Sequence, residues 1–149
     1  MEGLNRLEVY KAAQKLAKFV YQEVLNKLPA EEKFGLSSQI RRSAASIPAN
    51  IAEGYGRYYY QETIRFCYLA RGSLMDLSSH INLAYSQAYL PSEIKSQIDD
   101  MMCQLLKLIH GYINYLKQSK RGLNEPGSHQ VAEEPVHYSQ GEEDMEEGL

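Results

Sequence analysis

Between Cys67 and Ala88, the small and apolar residues Cys67, Ala70, Leu74, Leu77, Ile81, Ala84 and Ala88 recur at alternating intervals of three and four. A strand would need a period of two, so this spacing predicts a helix whose single continuous seam is buried against other helices. The helix is expected from about Tyr60 to Ala88, with Leu90-Pro91-Ser92 forming the turn that ends it. Gly72 and Ser73 within it are expected to let a neighbouring backbone approach closely.

Three further stretches repeat the pattern. From about Leu4 to Leu28, Val9, Ala13, Leu16, Val20 and Val24 form one stripe, and Asn5 with Glu8 has the spacing of a capping box; Pro29 stops the helix. From about Leu36 to Tyr55 the stripe is Leu36, Ile40, Ala44, Ile47, Ile51 and Tyr55. Pro48 lies inside it and is expected to kink the helix unless Ser43 or Ser46 satisfies the freed carbonyl. From about Ser92 to Ser119 the predicted seam is Ile94, Ile98, Met101, Leu105, Leu108, Tyr112 and Tyr115, with Met102, Leu106, Ile109, Ile113 and Leu116 beside it. That stripe is wider than one seam inside a bundle needs, which assigns part of it to a second subunit.

Four helices joined by short turns lie beside their sequence neighbours, so residues 1–122 are expected to form an all-α, antiparallel up-and-down four-helix bundle. The charge then divides the chain. Residues 1–122 carry 16 Lys+Arg against 11 Asp+Glu, whereas 123–149 hold eight acids and no Lys or Arg. The latter segment is rich in Gly, Ser, Pro and acids and cannot bury enough apolar surface to offset its ordering entropy, so it is expected to be a disordered acidic C-terminal tail. No charged-then-apolar leader follows Met1 and no apolar run approaches the roughly 20 residues that cross a bilayer. The expectation is a cytoplasmic protein without a membrane partner. Cys67 and Cys103 both fall inside apolar helical patterns and are expected as buried, reduced thiols.

On the second helix, Arg42, Ser46, Glu53 and Arg57 share one face at 100° per residue, with Asn50 at its edge. Such a polar stripe is either a solvated face with weak ion pairs or a surface for a subunit or ligand. Arg41, Arg42, Arg57, Arg65 and Arg71 are interleaved with Tyr55, Tyr58, Tyr59, Tyr60 and Tyr68. Guanidinium groups bind phosphate and stack on bases, and tyrosines offer stacking platforms, so the region suits RNA or single-stranded DNA; the same residue types also make protein-binding hot spots. Nothing points to an enzyme or a cofactor. Gly54-Tyr55-Gly56 follows a helix and lacks the third glycine of a dinucleotide fingerprint, and His80, His110, His129 and His137 have no partner at metal-ligand spacing. A helical nuclease would need Arg and His four to six residues apart; Arg71 and His80 are farther apart than that.

One set of strings goes beyond pattern. Gly35-Leu36, Gln39-Ile40-Arg41-Arg42-Ser43-Ala44, Ser46-Ile47-Pro48-Ala49-Asn50-Ile51-Ala52-Glu53-Gly54, Gly56-Arg57 and Ala70-Arg71-Gly72-Ser73-Leu74 resemble the bacterial four-helix-bundle proteins encoded in intervening sequences of 23S ribosomal RNA genes. The opening Leu7-Glu8-Val9-Tyr10-Lys11-Ala12 is similar too, and the resemblance covers about residues 4–120. More distantly the chain is similar to the accessory variability proteins of retroelements, which form homopentameric barrels and bind nucleic acid and a reverse transcriptase. The resemblance implies a homo-oligomer, a homopentamer if it follows those barrels, with RNA, DNA or a protein such as a reverse transcriptase as partner. The family's characteristic residues are matched at Arg41, Arg42, Asn50, Glu53, Gly54 and Arg57. From their chemistry Arg41, Arg42, Arg57, Arg65 and Arg71 are the expected binding residues, and Pro48, Asn50, Glu53 and Gly54 are expected in structural or interface roles. A scaffold that binds only protein is the alternative. Asp76 stands where that family often has Glu, and the acidic segment extends past the usual end of the domain, where it could compete with nucleic acid for the basic body.

Overall fold

A computed structural model describes residues 1–120, whose regular elements are all helices. The expected tail, 123–149, lies outside the described residues. The helices are α1 (Glu2–Arg6), α2 (Glu8–Phe19), α3 (Leu36–Tyr55), α4 (Tyr60–Ser86) and α5 (Ser92–Ser119).

The first expected helix is divided. Leu7 is extended (φ −71°, ψ 118°), so the backbone breaks at the predicted capping box and neither Asn5 nor Glu8 caps the helix. The break lets α1 fold onto the end of α3. A Cβ at Gly3 would come within 2.1 Å of the Tyr55 hydroxyl, so glycine is what permits that contact. After α2 the chain widens into a π turn over Val20–Val24 and tightens into a 3₁₀ turn over Leu25–Lys27. Val20 and Val24 stay fully buried through this change.

The cap of α3 comes from upstream. A 3₁₀ turn at Ala30–Glu32 brings Glu32 back, and the Leu36 N–H donates to its Oε2 at 2.8 Å. Helix α3 then continues through Pro48. The expected serine rescue does not occur: the Ser43 hydroxyl donates to the carbonyls of Gln39 and Ile40, and Ser46 donates to the Ser43 carbonyl and to the Ser73 hydroxyl. Neither addresses the Ala44 carbonyl that Pro48 leaves.

Helices α3 and α4 pack more extensively than any other pair. Ser46 meets Ser73, and Gly54 lies against Thr63 and Phe66, so they are antiparallel. The predicted α4 seam is buried from Cys67 to Ala84. Ala88 leaves it: the helix ends at Ser86, and Ala88 takes a left-handed conformation at φ 61°. The Tyr89 and Ala88 N–H groups donate to the carbonyls of Ala84 and Tyr85, the pattern of a Schellman cap. Gly72 is a second correction, since a Cβ there would meet nothing within 4 Å.

The seam of α5 is displaced by one helix flank. Ile98, Met102, Leu105, Ile109, Ile113 and Leu116 are buried. Met101 and Tyr112 are only half-buried, while Leu108 and Tyr115 are exposed by 38% and 64%. Cys103 is likewise exposed, against expectation, because it falls outside this seam; Cys67 is buried as expected. The core is a single cluster drawn from α2 and the turn after it, α3, α4 and α5. No helix among the described residues is long and apolar enough to cross a membrane.

Candidate functional site

The polar stripe of α3 follows from its core stripe. With Ile40, Ala44, Ile47 and Ile51 buried, the helical period turns Arg42, Ser46 and Glu53 to the flank that borders α4. Ser46 closes the contact with α4 through Ser73, and Asn50 donates its side-chain N–H to the Ser46 carbonyl at 2.9 Å. Asn50 is thereby tied to its own helix. Gly54 and Pro48 are buried, the first against α4.

Arg57 sits just past the end of α3. Its Nη2 donates to Glu53 Oε1 at 2.8 Å, and its guanidinium lies 5.2 Å from the centre of the Phe66 ring. Both partners are partly exposed, so the ion pair holds the arginine weakly. Tyr58, 54% exposed, stands next to it with its ring edge-on to Tyr59 at 5.6 Å. Arg65, also exposed, is on the first turns of α4 at the same end. Arg42 is 15 residues before Arg57, about 22 Å along the axis.

The remaining arginines separate. Arg41 adjoins Arg42 in sequence and is therefore turned about 100° toward α2. Arg71 is half-buried on the flank of α4 opposite to the one that carries Phe66 and Ser73. It neighbours Tyr68, whose hydroxyl is pushed above the usual tyrosine range by burial; the Arg71 charge partly opposes that shift. Among the described residues, Arg41, Arg42 and Arg65 are exposed and form no ion pair. Their charge is available to a partner.

Arg71 and His80, the nearest approach to a nuclease pair, do not come together. Nine residues place them about 14 Å apart along α4 and on opposite flanks. His80 instead lines an open cleft of about 600 Å³ at the other end of the α3–α4 pair, with Glu32, Leu36, Gln39, Leu83 and Gln87. Periodicity carries no sign of that cleft, because its wall depends on the 3₁₀ turn that brings Glu32 onto α3. Tyr89 donates from its hydroxyl to Glu32 Oε1 at 3.3 Å, and burial followed by the charge of Glu32 raises the tyrosine pKa. Among the described residues no group of His, Cys, Asp and Glu has the arrangement of a metal site.

Residues 5–111 match the family described as 23S rRNA-intervening sequence protein. The fold is similar to a crystal structure of a protein of unknown function from the S23 ribosomal protein family of Bacteroides thetaiotaomicron VPI-5482. The two are 23% identical, with a TM-score of 0.59 over 70% of this chain and 97% of that one. No curated protein matches the chain.

Proposed function

This chain belongs to the 23S rRNA-intervening sequence protein family, and from that premise we propose that it is a non-catalytic, homo-oligomeric binding protein of the cytoplasm that holds single-stranded RNA or DNA along α3 and the start of α4. The observation that carries this reading is a row of exposed arginines: Arg65 beside Arg57 and the exposed ring of Tyr58 at one end, and Arg42 about 22 Å along α3, with Arg42 and Arg65 in no ion pair among the described residues. Guanidinium groups take phosphates in paired hydrogen bonds, and an exposed tyrosine edge or face can stack on an unpaired base. The basic balance of residues 1–122 favours such a partner. The distance between Arg71 and His80 supports the non-catalytic part. The oligomeric part is supported by the apolar flank of α5 that the core leaves uncovered, and a ring of five is what the family resemblance implies.

Fluorescence anisotropy of a labelled single-stranded RNA, at about 50 and 200 mM salt, tests the surface. The full chain should bind with a log–log salt slope of about −2, the value for three neutralised phosphates on a single strand. R42A/R57A/R65A should weaken binding at least tenfold at the lower salt while leaving the helical circular dichroism unchanged. Equal affinity of the folded variant and the wild type would remove this surface from consideration.

A further inference from the structure

Helix α5 returns the chain to the arginine surface. It leaves α4 through the short turn before Ser92, and it has 28 residues against the 27 of α4, about 42 and 40 Å. Near the turn the Lys95 ammonium lies 5.6 Å from the centre of the Tyr85 ring, and α5 stays packed in the core as far as Leu116. A helix that starts beside the end of α4 and runs back along it must finish beside its beginning. Ser119 is therefore at the level of Tyr60, the end that carries Arg57, Tyr58 and Arg65.

The chain beyond α5 has the opposite charge. Residues 123–149 contain eight acids, five of them at Glu142, Glu143, Asp144, Glu146 and Glu147, and no Lys or Arg. From Lys120 to Glu142 is 22 residues, enough chain to reach across two to three helix diameters, about 25 Å. A tether of that length gives a local concentration in the millimolar range, so even a weak electrostatic contact is populated.

We propose that the acidic segment 142–147 docks on Arg57, Arg65 and Tyr58 of its own chain and occupies the surface that a nucleic acid would take. The docking stands on charge and position alone; its regulatory meaning rests on the nucleic-acid reading of that surface. The five carboxylates mimic a short run of phosphates, and Arg65 has no ion pair among the described residues to compete with them. The contact is exposed, so salt screens it. The tail acts as a built-in competitor: weak RNA is kept off, and a longer or tighter strand displaces the segment.

Two measurements on the full chain separate the two claims. In C103S/M145C a nitroxide on residue 145 reports where the segment sits, since Cys67 is buried and stays unlabelled. At about 50 mM salt the amide signals of residues 57–66 should lose at least half their intensity while those of 36–40, at the far end, keep theirs. The loss should vanish at about 500 mM salt and in the E142Q/E143Q/D144N/E146Q/E147Q background. No broadening, or broadening spread evenly along the bundle, overturns the docking. Single-stranded RNA is then titrated into wild type and the charge-neutralised chain, where neutralisation should raise affinity about tenfold at low salt. Equal, measurable affinities overturn the competition although the docking remains. Failure of both chains to bind RNA overturns the nucleic-acid reading, and with it the competition, while the nitroxide result still decides the docking.

Discussion

A Cβ on Gly54 would lie 2.7 Å from the Cβ of Phe66 and 3.1 Å from the Thr63 carbonyl oxygen, so α3 and α4 reach their observed separation only with a hydrogen at that position. Neither obstacle is the flexible end of a side chain, and the helices would have to move apart. Gly54→Ala should therefore destabilise the fold by about 1–2 kcal/mol, the overpacking cost exceeding what alanine gains in helix propensity. The same change at Gly72, where a Cβ meets nothing within 4 Å, should stabilise by up to about 1 kcal/mol. Urea denaturation of both variants checks the pair: one chemical change, two signs.

The end of α4 offers a second test of backbone reasoning. Ala88 holds φ 61° to complete the Schellman cap, a conformation that costs an L-residue roughly 1–2 kcal/mol and glycine almost nothing. Ala88→Gly should raise the unfolding free energy measured by urea denaturation by about 0.5–1 kcal/mol, after the added entropy of the unfolded chain is subtracted. A loss of stability would mean that Ala88 makes a contact its exposure does not suggest.

The period of α4 was legible in the sequence because its seam of Cys67, Ala70, Leu74, Leu77, Ile81 and Ala84 has mostly polar or charged residues on its flanks. On α5 two overlapping repeats are both apolar, Ile94–Ile98–Met101–Leu105–Leu108 and Ile98–Met102–Leu105–Ile109–Ile113, and periodicity alone fixes no phase between them. Burial chose the second, leaving the Tyr115 hydroxyl in water. The wheel that put Arg42, Ser46 and Glu53 on one flank was a local property and could be read directly. That Arg71 falls away from them depends on which side of α4 meets α3, and the Glu32 cap depends on a turn without a periodic signature.

The two cysteines should differ in chemistry. Burial pushes the Cys67 thiol up to about 12, while Cys103 is exposed. At pH 8 a thiol reagent should modify Cys103 within minutes and Cys67 only on unfolding, giving one labelled site natively and two in denaturant by mass spectrometry. The sign for stability follows from the raised value: the thiol form is favoured in the fold, so its contribution is complete below the unfolded pKa near 9 and falls as pH rises toward 12, by about 1.4 kcal/mol per unit. The pH slope of stability in this range should be shallower in Cys67→Ala than in wild type.

Glu53 competes with any anion for Arg57, across 2.8 Å. The pair is exposed and its loss should change stability by no more than about 0.5 kcal/mol. Glu53→Gln should nonetheless strengthen single-stranded RNA binding severalfold at low salt, by removing the carboxylate that competes for Arg57 and its negative charge. Arg57→Ala should weaken it. Opposite signs at two residues of one ion pair are hard to produce by a change in folding, so anisotropy on this pair tests the surface more sharply than loss of arginines alone.

The uncovered flank of α5 makes the oligomer testable without touching the core. Leu108 and Tyr115 are seven residues apart on the flank that continues from Met101, and both remain exposed in the single chain. Surface changes of this kind normally alter stability by no more than about 0.5 kcal/mol, so Leu108→Gln with Tyr115→Ser should leave the thermal unfolding of the bundle nearly unchanged. If this flank joins subunits, light scattering should fall from a multiple of 17.0 kDa to the mass of one chain. A wild type that is already 17.0 kDa throughout the micromolar range removes the oligomer from the proposal. An unchanged multiple in the double variant keeps the oligomer but moves its interface elsewhere, with exposed Leu69 and Leu83 on α4 as the next pair to replace. The distinction matters for the arginine surface, because subunits joined through α5 would leave the α3 edge open to a strand, whereas subunits joined through α4 would bring arginine edges of neighbouring copies together.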